Sequence, residues 1–188
     1  MIGGRKIHYE TNTLIFCIWK KKELSKEWKE SIIIIICKKS NAKNCSNYRG
    51  ISLLPTAYRI LSNILLSRLT PYAEQSIGDH QCGFRRNRLT NHIFCICQIL
   101  EEEYNCNEAV HQLFADFKKA YDSVWTEAFY PTLIEFGMPM KLVRLIKMCL
   151  NETYKRVWVG KHLFDMFFIR NGLKPGDSLL PLLFNYAL

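Results

Sequence analysis

The feature that most constrains the fold is a short run of β-branched residues at 32–37, five isoleucines followed by a cysteine. β-Branched side chains fit a pleated strand better than a helix. The run is bounded by polar residues and is far shorter than the roughly 20 apolar residues of a membrane-spanning helix. It therefore predicts a buried strand. The basic, Asn- and Ser-rich stretch 38–48 predicts a hairpin tip, and residues 51–54 predict the returning strand, which ends at Pro55.

Helical and strand-like patterns are mixed along the rest of the chain. Apolar residues recur at helical spacing over 13–28, 58–69 and 93–104, and Pro71 is expected to end the second helix. Residues 110–115 predict a strand that ends at Asp116. Two helices, a β-hairpin and an apolar helix are expected at 127–136, 140–150, 154–170 and 178–188. Because strands and helices do not alternate as regular βαβ units, the predicted fold class is α+β.

The charge of the chain restricts its partners. The net charge is +9 and the isoelectric point is near 9.2, so nucleic acid and anionic membranes are the leading candidates. A basic protein with no special partner remains an open alternative. No segment has the pattern of a secretory signal or a membrane span, which predicts an intracellular protein of the nucleus or cytoplasm. Its eight cysteines are then expected to be mostly reduced.

The residue that points to chemistry is Asp116, which directly follows the apolar residues Leu113, Phe114 and Ala115. A charge at the end of a buried strand is costly unless it is paired, hydrogen-bonded or bound to metal. Carboxylate oxygens suit Mg²⁺, and in two-metal phosphoryl transfer carboxylates hold ions about 3.5–4 Å apart. The alternative interpretation is a turn or helix-capping residue, and the stretch taken alone leaves both open.

Four motifs widen the interpretation beyond this one residue. They are "NYRGISLLPTAYRILSNILLSRL", "DHQCGFRRNRLT", "LFADFKKAYDSV" and "NGLKPGDSLLPLLFNYAL", in this order. Together, over residues 19–188, they resemble the reverse transcriptase domain of non-LTR (LINE-like) retrotransposons. The resemblance implies a right-hand polymerase, with a helical lead-in at 1–30, fingers at 31–107 and a partial palm at 108–188. The chain ends before the third palm motif, Tyr-Ala-Asp-Asp.

The resemblance also implies roles for residues of the palm. Asp116 would hold Mg²⁺, and the backbone carbonyl of Phe117 would touch one ion. Tyr121 would lie beneath the incoming sugar, where an aromatic ring crowds a 2′-hydroxyl and favours deoxynucleotides. Taken without the resemblance, Tyr121 is an ordinary core aromatic. Gly176 would lie in the loop that packs on the forming base pair.

The remaining candidates are basic residues of the fingers. Cations near the hairpin would grip the incoming triphosphate, and arginine suits this task because its planar fork binds phosphate bidentately. These residues are Lys38, Lys39 and Arg49. A second group would contact template or phosphate, although a solvated basic turn explains each of its members equally well: Arg85, Arg86 and Arg88.

The function implied is RNA-directed DNA polymerisation, in which a primer 3′-hydroxyl attacks the α-phosphate of a deoxynucleotide. Its partners would be an RNA template, a DNA primer and deoxynucleotides, with Mg²⁺ as cofactor and no membrane. Because the third palm motif supplies a second carboxylate, the chain alone is expected to be inactive. The alternative function is a non-catalytic nucleic-acid-binding or interaction protein from a decayed element. Pro175 and Leu180, where the family usually has Gln and Ser, fit such drift.

Overall fold

The computed structural model describes residues 2–38, 43–44, 47–78, 80–81, 83–85, 91–107, 109–151 and 153–188. These residues form helices and one mixed sheet, so the α+β class predicted from the sequence agrees with the structure. The helices are α1 (Ile2–Lys21), α2 (Lys26–Lys29), α3 (Thr56–Ser76), α4 (Asn91–Cys106), α5 (Thr126–Glu135), α6 (Met140–Leu150) and α7 (Leu180–Ala187). The strands are β1 (Glu30–Cys37), β2 (Tyr48–Leu53), β3 (Thr153–Val159), β4 (His162–Leu163) and β5 (Phe167–Ile169).

The sheet joins segments that lie far apart in the sequence. β1 pairs antiparallel with β2 and parallel with β3, giving the order β2-β1-β3-β4, and β5 pairs with β3. The hairpins predicted around 38–48 and within 154–170 are therefore confirmed. The β1–β3 pairing crosses the predicted boundary between fingers and palm, so both segments contribute to one sheet. The division into fingers and palm stays a prediction.

The two faces of the sheet differ in what they bury. β1 is a strand as predicted, but its isoleucines are half-buried or exposed, so the prediction of a buried strand was wrong. Cross-strand pairing aligns one apolar row, whose members are 39–45% exposed: Ile51, Ile34, Trp158 and Leu163. The side chains buried along the sheet are polar instead: Ser31, Ser52, Thr153 and Lys155. The sheet thus contributes polar groups to the interior.

The apolar core is formed mainly by helices. Helices α3, α5 and α6 each direct an apolar stripe inward, with buried residues three and four positions apart, and α7 is buried over most of its surface. Fully buried members of this core include Leu61, Leu65, Leu69, Leu133, Leu145, Ile146 and Leu183. In the described part of the chain, no helix combines the length and apolarity needed to cross a bilayer.

Helix α3 continues through Pro71, so the prediction that this proline ends the helix was wrong. A proline inside a helix removes one backbone donor and crowds the preceding turn. Here Pro71 lies on the exposed side, while Leu69 and Ala73 are buried in the core on either side of it. The N–H of Ile77 donates to the carbonyl of Ala73 at 2.9 Å. Packing of the buried residues therefore maintains the last turn.

The strand predicted over 110–115 is absent. Residues 109–117 have no regular secondary structure, and Leu113 and Phe114 are 95% and 77% exposed. A strand is stable only when a neighbour pairs its N–H and C=O groups and its apolar side chains are covered. Among the described residues no strand pairs with this segment. The prediction was wrong because the apolar pattern cannot show whether a pairing strand is present.

The difference between the core and this exposed segment is measurable with two leucine truncations. Leu65→Ala should lower the free energy of unfolding by about 2–5 kcal/mol, because it leaves a cavity in a closed core. Leu113→Ala, which removes the same atoms from solvent, should change it by less than about 0.5 kcal/mol. Urea denaturation measures the free energy of unfolding of both variants and of the unsubstituted chain. A comparable loss in Leu113→Ala would mean that residues 109–117 pack against the protein.

Candidate functional site

Residues 171–177, here called the central loop, belong to the fourth sequence motif and contact segments that carry two of the other motifs. The loop is irregular and leads from β5 into α7. Its backbone hydrogen bonds run from Gly172 N–H to the Val124 carbonyl (2.9 Å), from Leu173 N–H to the Tyr121 carbonyl (2.8 Å) and from Ser52 N–H to the Pro175 carbonyl (3.1 Å). The last bond covers part of the outer edge of β2. The central loop therefore joins the segment after Asp116 to the β1–β2 hairpin.

Two glycines allow the central loop to approach its neighbours this closely. Gly176 has φ +97°, and a Cβ there would lie 2.9 Å from the carbonyl oxygen of Ser52. Gly172 has φ +94°, and its Cβ would lie 3.0 Å from the Cα of Asp122. Any side chain at either position would meet backbone atoms as well as the strain of a positive φ.

The carboxylate of Asp177 anchors the end of the central loop in the interior. Asp177 is only 6% exposed. The hydroxyl of Tyr58 donates to its Oδ2 at 2.7 Å, and the hydroxyl of Ser62 donates to its Oδ1. The N–H of Leu179 also donates to Oδ1, at 3.0 Å. With three donors the buried charge is satisfied, which ties the loop to α3.

Lys174 is a second buried charge beside this anchor. Its Nζ lies 4.7 Å from the centre of the Tyr58 ring and has no hydrogen-bond partner among the described residues. Burial lowers the pKa of the Lys174 ammonium to about 8, although the nearby Cys149 and Asp177 oppose this shift. Burial, reinforced by Asp177, raises the pKa of the Cys149 thiol to about 12. Burial also raises the pKa of Tyr58 well above its usual value.

The predicted palm residues lie in different surroundings. Asp116 and Phe117 are exposed on the irregular segment. Tyr121 is half-buried, and its ring centre lies 5.0 Å from that of Phe184 on α7 and 6.2 Å from that of Phe84. The structure thus brings Tyr121 to the central loop, where its carbonyl accepts from the Leu173 N–H, and leaves Asp116 in solvent. Their roles stay predictions.

The predicted fingers residues are only partly described. Lys38 is exposed where β1 ends, and its N–H donates to the Asn47 carbonyl at 2.6 Å. Arg49 is exposed on β2, on the sheet face opposite Ser52. Arg85 donates from Nη1 to the Gly78 carbonyl at 3.0 Å, which holds the chain after α3, so template contact stays a prediction. Three candidates lie outside the described residues: Lys39, Arg86 and Arg88.

The oxygen donors at Asp116 fit Mg²⁺ in kind but not in number. Mg²⁺ takes oxygen ligands in octahedral geometry and is commonly held by one or two carboxylates, substrate phosphates and water. Across the described ranges, no group of three His, Cys, Asp or Glu side chains could hold a metal ion. Asp116 therefore offers one accessible carboxylate, which is too few for a protein-only metal site.

The anchor at Asp177 was missed by the sequence analysis. One signal was present: Tyr58 and Ser62 are four residues apart on the apolar stripe of α3, where two hydroxyls need a partner. Asp177 itself has the local pattern of a residue that caps the next helix, and its bond to the Leu179 N–H partly matches that. Nothing in the spacing connects Asp177 to α3, because the two segments are far apart in the chain.

The buried ammonium predicts how stability depends on pH. The unfolded chain keeps the Lys174 proton up to its ordinary pKa of 10.5, whereas the folded chain loses it near 8. Stability should therefore rise above pH 8, by at most about 1.4 kcal/mol per pH unit. Above pH 9 the raised pKa of Cys149 lowers stability, because the unfolded chain loses the thiol proton while the folded chain keeps it. The informative window is therefore pH 7.5–9.

Chemical denaturation of Lys174→Met across this window should show a flatter profile than the unsubstituted chain. Lys161→Met, at an exposed turn position, is the matched control and should retain the rise. A rise of the same size in Lys174→Met would mean that this ammonium is not responsible.

The close approach of the central loop to β2 predicts an asymmetry between two glycines. Gly137→Ala places a Cβ in open space at φ +75°, which should cost about 1–2 kcal/mol of stability. Gly176→Ala meets the Ser52 carbonyl in addition, and should cost at least about 1 kcal/mol more. Urea denaturation of both variants tests this, and equal losses would contradict the packing of the loop on β2.

Comparisons with known proteins identify the family. The family model described as reverse transcriptase (RNA-dependent DNA polymerase) matches residues 36–188. The chain is 27% identical over 177 residues to the Drosophila melanogaster protein named probable RNA-directed DNA polymerase from transposon X-element, covering 92% of this chain and 19% of that protein. It is 28% identical over 167 residues to the RNA-directed DNA polymerase from mobile element jockey of the same species, covering 85% and 18%.

A jockey polymerase of Drosophila funebris is 26% identical over 166 residues, covering 82% of this chain and 17% of that protein. The chain thus spans about a fifth of the length of these relatives. The family model covers more than half of the chain and includes all four sequence motifs. This chain therefore belongs to the reverse transcriptase family and is related to the polymerases of non-LTR, LINE-like retrotransposons.

Proposed function

We propose that the chain is the part of a retrotransposon RNA-directed DNA polymerase that binds the incoming deoxynucleotide on a primed RNA template. The supporting observation is the central loop, which hydrogen-bonds to the Tyr121 carbonyl on one side and to Ser52 of β2 on the other. Segments that carry nucleotide-contacting residues in the proposal are thereby held in one region. In the polymerase, the primer 3′-hydroxyl attacks the α-phosphate of the deoxynucleotide, the bond to the β-phosphate breaks and pyrophosphate leaves.

Each candidate residue has a role in this proposal. Tyr121 lies beneath the sugar, and Gly176, which has no side chain, leaves the central loop free to approach the forming base pair. The hairpin cations grip the triphosphate: Lys38, Lys39 and Arg49. The second basic group contacts the template: Arg85, Arg86 and Arg88. The β1–β2 hairpin, α3 and α4 belong to fingers at 31–107, and residues 108–188, which include β3, β4 and β5, belong to the palm.

The reverse transcriptase family uses divalent metal ions, and we assign Mg²⁺ to Asp116 and the Phe117 carbonyl. When bound, Mg²⁺ would stabilise the charge that develops on the attacking and leaving oxygens. Asp116 is exposed and so accessible to substrate phosphates. Because a two-metal site needs more ligands than this one carboxylate, the chain by itself is not expected to polymerise.

The rival function is a nucleic-acid-binding or interaction protein without nucleotide chemistry. The net charge of +9 supports binding of a polyanion in either case. The exposed, irregular segment around Asp116 favours the rival, because a catalytic carboxylate needs a fixed position. Nucleotide binding separates the two, since only a polymerase site responds to the templating base.

A ternary complex provides a test that does not require catalysis. A labelled RNA template with a dideoxy-terminated DNA primer is bound to the chain with Mg²⁺, and fluorescence anisotropy measures the affinity. The complementary deoxynucleotide should tighten binding, whereas mismatched deoxynucleotides should not. Tyr121→Ala should abolish the response, and Tyr104→Ala, at an exposed tyrosine of α4, should retain it. Identical affinity with every nucleotide would favour the rival function.

A further inference from the structure

Tyr121 is held at two points, its backbone and its ring. Its carbonyl accepts a hydrogen bond from Leu173 N–H at 2.8 Å. Its ring meets Phe184 edge-on, with ring centres 5.0 Å apart and planes at 75°. Leu173 lies in the central loop before Asp177, and Phe184 lies in α7 after it. The two supports of Tyr121 therefore flank Asp177 on either side along the chain.

Asp177 fixes both of these flanking segments to α3. Its backbone N–H donates to the Lys174 carbonyl at 3.0 Å, which closes the end of the central loop. Its own carbonyl accepts from Leu180 N–H at 3.2 Å, and its Oδ1 accepts from Leu179 N–H, so α7 begins on this residue. A shift of Asp177 would therefore move the loop and the helix together.

The hydrogen bonds from α3 fix the orientation of the carboxylate as well as its position. Tyr58 and Ser62 are four residues apart and so project from the same side of α3. Tyr58 donates to Oδ2 and Ser62 to Oδ1, so each carboxylate oxygen is bound separately. A buried carboxylate oxygen that loses its hydrogen-bond donor carries an uncompensated desolvation cost, which favours movement of the group toward water or another donor. Removal of the Tyr58 hydroxyl alone should therefore displace the group.

We propose that Asp177 is a positioning residue for Tyr121, acting through Leu173 on one side and Phe184 on the other. This proposal rests on the proposed function, in which the Tyr121 ring lies beneath the sugar of the incoming nucleotide. The ring excludes a 2′-hydroxyl only if it is held at a fixed height. The hydrogen bonds of Asp177 with Tyr58 and Ser62 thereby set the discrimination between deoxynucleotides and ribonucleotides.

Amide hydrogen exchange tests the positioning without any nucleotide. In the chain labelled with ¹⁵N-leucine, the Leu173 amide reports its bond to Tyr121, and the Leu65 amide in the core reports global unfolding. Tyr58→Phe and Asp177→Asn should each raise the exchange rate of the Leu173 amide about tenfold or more, beyond any change in the rate of the Leu65 amide. Tyr130→Phe is the matched control, because it removes a hydroxyl that donates to Asn151 at 2.6 Å, away from the loop.

Equal acceleration at Leu173 and Leu65, or the same effect in Tyr130→Phe, would overturn the positioning role. In the ternary-complex assay, Tyr58→Phe should lower the preference for deoxynucleotide over ribonucleotide, and Tyr130→Phe should leave it unchanged. An unchanged preference in Tyr58→Phe would overturn the role in sugar selection. If deoxynucleotides do not change the affinity of the unsubstituted chain for the primed template, both the proposed function and the role in sugar selection are overturned. The exchange data still decide separately whether Asp177 positions Tyr121.

Discussion

The constraint on which the arrangement of the interior depends is the need to satisfy a buried carboxylate. Asp177 lies almost out of contact with water and accepts hydrogen bonds from two hydroxyls of α3 and one backbone N–H. Meeting this need fixes α3, the central loop and the start of α7 relative to each other. Lys174 and Cys149 lie beside the same group, so this interior is polar where the surrounding helical core is apolar. Such a site has one acceptable arrangement, which gives the loop a defined position.

Structure that depends on neighbouring residues could be predicted from the sequence. The division between α5 and α6 was visible because Gly137 and Pro139 are residues that end and begin helices. The hairpin of β1 and β2 was visible because an isoleucine run and a second apolar segment flank a polar turn. Tyr121 and Gly176 were singled out by motif, and the structure places both at the central loop. Each of these features depends on residues that are close together in the sequence.

Structure that depends on distant segments could not be predicted. The apolar residues before Asp116 have the composition of a strand, but whether they form one depends on a pairing neighbour that composition does not specify. Pro71 has the local chemistry of a helix end, and burial of the residues around it outweighs that chemistry. The two hydroxyl donors to Asp177 come from a helix more than a hundred residues earlier. In all three cases tertiary contacts decide the outcome.

The parallel pairing of β1 with β3 has a consequence for the order in which the chain folds. Ile32 pairs with Arg156, so the central pair of the sheet closes only after nearly the whole of this sequence has been synthesised. Closing so long a loop is entropically costly and slows folding, because the contact is far from local. On the ribosome the β1–β2 hairpin can form early, and one edge of β1 then stays open until β3 emerges. During that interval the isoleucine strand is an aggregation hazard, and chaperone binding is most useful there.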